Sequence, residues 1–171
     1  MNPDEIPLVL FRTIHKGWAL AVGKDMKAGE LVTEYAGVIF EDVKIARTTD
    51  NTYIFDMDYM RAKLENKYGS KLKKSSRYYL IDSKQIGNES RFANHSCDPN
   101  MHIVVSYGVY KSPTIHKVFY FMKNSVQMGT ELTVKYFHNT VQNTINDYTV
   151  RCKCGSSNCI VILPIKHNDK D

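Results

Sequence analysis

The sequence predicts a mostly-β domain, strands with a few short helices, carrying a small C-terminal appendage. Three observations predict it. Short apolar runs recur between Gly, Pro and Asn turn signals. Helical periodicity shows only in one short stretch. Three of the four cysteines stand together near the C-terminus. The length of 171 residues suits one domain with a core of its own, and the apolar share of 43% is ordinary for a globular protein. No apolar run approaches a membrane span, and the first residues carry no secretory pattern. The expected setting is a reducing intracellular compartment, with the cysteines outside disulfides. A net charge of +5 is compatible with an anionic or chromatin-associated partner.

Leu8–Phe11 and Gly17–Val22 read as strands joined by a polar turn. Gly17 before Trp18 suggests close backbone approach, and the simple reading makes Trp18 a core residue of a hairpin. Lys27–Glu30 is a turn, and Leu31–Ile39 a strand broken at Gly37 by a bulge. Residues 41–50 are polar and suit one or two helical turns. Thr52–Tyr59 alternates as a strand. Residues 60–77 are the most basic part, and Met60, Leu64 and Tyr68 fall at helical spacing. They read first as a solvated helix and loop, and second as a binding patch. Tyr78–Asp82 is a strand and Gly87–Asn88 a turn. Arg91–Asn100 makes a poor strand and a poor helix, so it reads as a loop that holds something, closed by the Asp98-Pro99-Asn100 turn. Met101–Val109, Val118–Met122 and Glu131–Phe137 are the remaining strands, and 138–149 a linker.

Cys152, Cys154 and Cys159 form C-x-C-x4-C. Thiolates suit zinc, and structural zinc takes four ligands in a tetrahedron. The one further cysteine, Cys97, lies in the polar loop, so the count closes as a four-thiolate structural Zn2+ site joining tail to loop. The bland alternative is four free thiols. On the zinc reading the tail folds onto the loop only with metal bound.

Asn94-His95-Ser96-Cys97, the strand Glu131-Leu132-Thr133 leading to Tyr136, and the C-x-C-x4-C tail together resemble a SET-domain protein lysine methyltransferase with its post-SET zinc module. Gly17-Trp18 and Glu34-Tyr35-Ala36-Gly37 are similar to the N-terminal half of that family, in family order. The resemblance implies a SET domain over 8–137, with a variable insert at about 56–78, and a post-SET segment over 148–164. It implies several small sheets with a pseudoknot, in which the Asn-His loop and the final strand thread together. It also implies S-adenosyl-L-methionine as cofactor, bound by Lys16, Gly17, Trp18, Tyr53, Arg91, Asn94 and His95. Tyr35 would line the lysine channel and Tyr136 would be the catalytic tyrosine. The implied substrate is a histone H3 tail, of the lysine-9 or lysine-36 class, or another lysine-containing protein. The implied setting is nuclear chromatin, with the basic insert available for nucleosome contact.

Some positions depart from the family pattern. Ala19 stands where a second glycine is usual, and its methyl is expected to tighten the cofactor pocket. Val134 and Lys135 stand where an aromatic and an acid are common. The small Val134 leaves room for di- or trimethylation, and Lys135 puts a charge beside the active strand. Ile160 stands where Arg is frequent. These changes motivate the alternative of a catalytically degenerate SET module acting as a chromatin- or peptide-binding scaffold. A nucleic-acid-binding zinc finger would need a recognition helix, and residues 160–171 offer none.

Overall fold

The computed structural model describes residues 6–41, 52–57, 79–106, 115–136, 149–159 and 162–164. The expected polar turns after residue 41, the basic helix at 60–77, most of the insert and linker, and Ile160 lie outside these residues. Among the described residues there are twelve strands and one 3-10 turn, Glu89–Phe92. The chain divides into two compact units.

The first unit is built on a hairpin, β1 (Leu8–Thr13) with β2 (Gly17–Val22), paired antiparallel. Ala19, Leu20, Ala21 and Val22 are all buried, so β2 shows no alternation. Its second edge explains this. The Leu132 N–H donates to the Leu20 carbonyl at 2.7 Å and the Val22 N–H to the Thr130 carbonyl at 3.2 Å. A strand paired on both edges and covered on both faces calls for small and apolar side chains throughout. Gly17 sits in the left-handed region at φ 73°, and a Cβ there would meet nothing within 4 Å. The glycine is therefore required by the turn conformation and not by close approach.

The greater part of a three-stranded sheet, ordered β3 (Leu31–Glu34), β9 (Lys117–Met122), β8 (Met101–Ser106), also belongs to this unit. β9 alternates strictly, burying Val118, Tyr120 and Met122. The Asn-His loop and the final strand do pair, as the resemblance implied, but two local readings of the residues change. Asn94–His95 is not only loop: it forms β7, which runs parallel to β10 (Thr133–Val134). Among the described residues, the predicted strand at Glu131–Phe137 contributes only those two residues to a ladder, with Glu131 in an isolated bridge to Ala21. The tail holds a hairpin that its sequence did not announce, β11 (Thr149–Arg151) with β12 (Ile162–Pro164), flanking the cysteine run.

The second unit is an antiparallel sheet ordered β4 (Gly37–Glu41), β6 (Tyr79–Gly87), β5 (Ile54–Asp56). β6 runs five residues beyond the expected Asp82, and β5 is shorter than expected. The expected bulge is present as a register shift between Gly37 and Val38. Here close approach does demand glycine. A Cβ on Gly37 would lie 2.6 Å from the Asp82 carbonyl oxygen and 2.7 Å from Ser83 Oγ.

The backbone cannot yield at that contact without breaking the β4–β6 ladder. Gly37→Ala is expected to lower stability by about 1–3 kcal/mol, the usual cost of overpacking. Urea unfolding of the two proteins measures it, and an unchanged midpoint would show that the bulge relaxes freely.

Candidate functional site

In the first unit, the pairing of β7 with β10 places the polar loop. Ser96 N–H donates to the Val134 carbonyl at 2.9 Å, continuing the ladder by one bond. Asn100 then stitches the loop down. Its Nδ2 donates to the Glu131 carbonyl at 2.8 Å and its Oδ1 accepts the Thr133 N–H at 2.9 Å. A side-chain amide with both a donor and an acceptor stands in for a missing strand residue.

A charged cluster forms beside this seam. Lys16 Nζ lies 2.6 Å from both carboxylate oxygens of Glu131. Asn94 Nδ2 donates to the Trp18 carbonyl at 3.1 Å and to Glu131 Oε1 at 3.2 Å. Thus Lys16, Trp18 and Asn94, expected as cofactor residues, are drawn together, with Gly17 as the turn that connects the first two. Glu131 organises them. The sequence assigned Glu131 no role; its only signal was an acid opening a strand. Trp18 is not a core residue: it is 51% exposed, with the Arg12 guanidinium 5.9 Å from its ring. Ala19 is completely buried, so its methyl lines no open pocket, contrary to the expected tightening.

His95 is buried between this cluster and the cysteines. Its Nδ1 accepts the Tyr136 backbone N–H at 3.0 Å, and its Nε2 lies 3.4 Å from Cys97 Sγ. Its ring meets the Tyr136 ring edge-on at 5.4 Å. Burial, with the charge of Lys135, pushes its pKa down to about 4. Tyr136 is 45% exposed, and its hydroxyl donates to the Ala93 carbonyl at 2.8 Å.

Cys97, Cys152, Cys154 and Cys159 converge as predicted, with all four Sγ atoms within 4.8 Å of one another. All four are free thiols. Zinc–sulfur bonds of about 2.3 Å in a tetrahedron set sulfur–sulfur edges of about 3.8 Å. The Cys97–Cys152 separation is 3.8 Å. A disulfide needs about 2.05 Å, so the cluster fits a metal and not a bond. Burial pushes Cys152 up to about 12. It pushes Cys154 the same way, but backbone hydrogen bonds from Cys97 and Ser156 outweigh it and bring that thiol down to about 6. Gly155, at φ 73°, makes the knuckle between ligands.

In the second unit, Tyr35 is buried, and its hydroxyl donates to the Tyr53 carbonyl at 2.8 Å. Arg91 lies over the Tyr53 ring at 5.9 Å and donates to the Ser83 carbonyl at 2.8 Å. Tyr53 and Arg91, expected as cofactor residues, are thus engaged with each other there. Asn88 bridges the Ala36 N–H and the Glu34 carbonyl, holding the chain on both sides of Tyr35. Burial, opposed by a Ser83 hydrogen bond, pushes the Tyr35 phenol up to about 12.

Residues 17–137 match the family described as SET domain. The chain is 30% identical to histone-lysine N-methyltransferase Su(var)3-9 of Drosophila melanogaster, over 93% of this chain and 25% of that protein. It is likewise 30% identical to the H3 lysine-9 specific histone-lysine N-methyltransferase of Schizosaccharomyces pombe, over 90% of this chain and 32% of that one. These relatives are three to four times longer than the stretch they share with it. Among solved structures, SUVH6 of Arabidopsis thaliana in complex with SAM superposes with a TM-score of 0.73 at 26% identity, covering 92% of this chain and 33% of that one. KRYPTONITE in complex with mCHH DNA, an H3(1-15) peptide and SAH gives 0.71 at 27%, covering 92% and 29%.

Two outcomes follow from the geometry. The purified chain should carry one zinc per molecule, and Cys97→Ser should lose most of it, as elemental analysis before and after mild chelation will show. Tyr35 adds a pH dependence. The unfolded phenol ionises near 10 and the folded one near 12, so the unfolded state sheds its proton first as pH rises. Stability attributable to Tyr35 is therefore full below pH 10 and falls between 10 and 12, by about 2–3 kcal/mol. Tyr35→Phe should flatten that part of a stability–pH curve.

Proposed function

This chain belongs to the SET-domain family, and on that premise we propose that it is a protein-lysine N-methyltransferase, moving a methyl group from S-adenosyl-L-methionine to the ε-amine of a histone H3 lysine. The observation that carries the proposal is the seam of β7 and β10. It gathers Lys16, Trp18, Asn94 and Glu131 in the same unit as Tyr136. That donor set fits the cofactor: paired opposite charges suit a zwitterionic amino-acid end, and a half-exposed indole suits a flat heterocycle. When bound, the cofactor supplies a methyl group already activated on a sulfonium.

The protein's task is to present a neutral amine. The Tyr136 hydroxyl spends its proton on the Ala93 carbonyl, so toward a lysine amine its oxygen acts as acceptor. Tyr35 spends its own on the Tyr53 carbonyl and stays neutral because it is buried. Uncharged phenols orient an amine without the ion pairing that would trap it as ammonium, and desolvation favours release of its proton. Positioning and desolvation then carry the rate. In this proposal Tyr136 is the catalytic tyrosine and Tyr35 a wall of the lysine channel.

Lysine 9 is the favoured target, supported by relatives named for histone lysine and H3 lysine-9 activity. The H3(1-15) peptide held by KRYPTONITE supports an H3 tail. Val134, fully buried in β10, keeps the small side chain that motivates di- or trimethylation. The setting proposed is nuclear chromatin.

Mass spectrometry of H3 tail peptides after incubation with zinc-loaded protein and S-adenosyl-L-methionine tests the proposal. Di- or trimethylated lysine 9 is expected, with Tyr136→Phe slower by on the order of 10²-fold. Modification at lysine 36 alone would move the substrate class. Transfer to no histone peptide, with cofactor binding intact, would move it to a non-histone protein. Loss of cofactor binding as well would favour the scaffold. Glu131→Gln should weaken cofactor binding by about tenfold in calorimetry, since Lys16 loses its charged partner.

A further inference from the structure

His95 has two ring nitrogens, and each faces something different. Nδ1 faces the backbone N–H of Tyr136 at 3.0 Å, and a peptide N–H can only donate. Nδ1 must therefore carry a lone pair. In a neutral imidazole that leaves the proton on Nε2, which faces Cys97 Sγ at 3.4 Å, within reach of an N–H to sulfur hydrogen bond. The two contacts fix a single tautomer. They also form a continuous path: metal-ligating sulfur, imidazole, backbone of the proposed catalytic tyrosine.

The path is separate from the strand pairing around it. The His95 backbone pairs with Val134, and Ser96 N–H donates to the Val134 carbonyl whatever the ring does. Removing the ring therefore spares the β7–β10 ladder. Tyr136 lies beyond the last paired residue of β10, so its amide is held by the ring where the ladder ends. Cys97 is the ligand supplied by the loop, whereas the other three come from the tail.

We propose that His95 is a positioning residue that couples the four-thiol metal site to Tyr136, its Nε2–H donating to Cys97 Sγ and its Nδ1 accepting the Tyr136 amide. The role assigned to Tyr136 rests on the methyltransferase reading; the mechanical coupling does not. A metal that fixes Cys97 Sγ orients the ring, and the oriented ring fixes the start of the segment that presents the Tyr136 phenol. Hydrogen bonding to a ligand atom tunes both metal retention and ligand basicity.

Three variants of the full chain separate the two contacts. His95→Asn retains an acceptor near the Nδ1 position and loses the donor to sulfur. His95→Gln retains a donor near the Nε2 position and loses the acceptor. His95→Phe keeps a ring and loses both. Cobalt(II) replaces zinc as the probe, because its thiolate charge-transfer band reports electron density on sulfur. His95→Asn and His95→Phe should move that band to longer wavelength and weaken metal retention against a chelator by about 10- to 100-fold. His95→Gln should do neither. Amide exchange by NMR reads the other end: the Tyr136 amide should exchange at least about tenfold faster in His95→Phe and His95→Gln. The Leu132 amide, which donates to the Leu20 carbonyl, serves as a folding control and should not change.

The decisive comparison is metal removal. It should speed Tyr136 exchange in the parent chain and add little in His95→Phe. Equal acceleration in both, or an unshifted cobalt band in His95→Phe, would overturn the coupling. Because neither readout involves methyl transfer, an inactive parent protein would overturn the enzymatic reading and leave this one standing.

Discussion

Two residue pairs, Asn94 with Thr133 and His95 with Val134, hold the candidate site together. The ladder is short, and its strength comes from what extends it. Ser96 adds a backbone bond at one end, and Asn100 uses its side-chain amide to bind both Glu131 and Thr133. Buried backbone groups must find partners, and here a loop with no regular structure finds them on a remote strand. With the loop fixed in this way, Asn94 reaches Glu131 and Trp18, His95 reaches Tyr136, and Cys97 reaches the tail cysteines.

Charge is handled differently in the two units. In the first, Lys16 and Glu131 are about three-quarters buried and meet at 2.6 Å, so each supplies the compensation that the other's desolvation requires. In the second, Tyr35 is kept uncharged. Its neighbours are the Tyr53 carbonyl, the Phe55 ring and the serine that bonds Ala36. One unit thus holds a compensated ion pair and the other a neutral phenol. Arg91 ties the 3-10 turn to β6 through the Ser83 carbonyl.

Metal and site are joined in the first unit by the same loop. Cys97 is only two residues from His95, and the spacing is what lets one imidazole serve the sulfur and the Tyr136 amide together. The hairpin of β11 and β12 brackets the tail ligands, so the segment that closes the metal site has its own short ladder.

The amino-acid sequence by itself determined the β class, the strands of β1, β2 and β9, the bulge at Gly37, the four-cysteine cluster, and the Asn-His loop as the organising stretch. Each is written locally or by count: apolar alternation, a glycine inside a strand, thiols at fixed spacing. Only the tertiary structure decided that Asn94–His95 is strand, that Trp18 is half exposed, that Ala19 is core, and that Glu131 and Asn100 organise the site. The reason is physical. These properties depend on partners far away in the chain. A two-residue parallel pairing has no periodicity to read, and an acid or an amide has the same local signature whether it faces water or holds a site. The roles of His95's two nitrogens belong to the same class, because a tautomer is set by what each nitrogen meets in space.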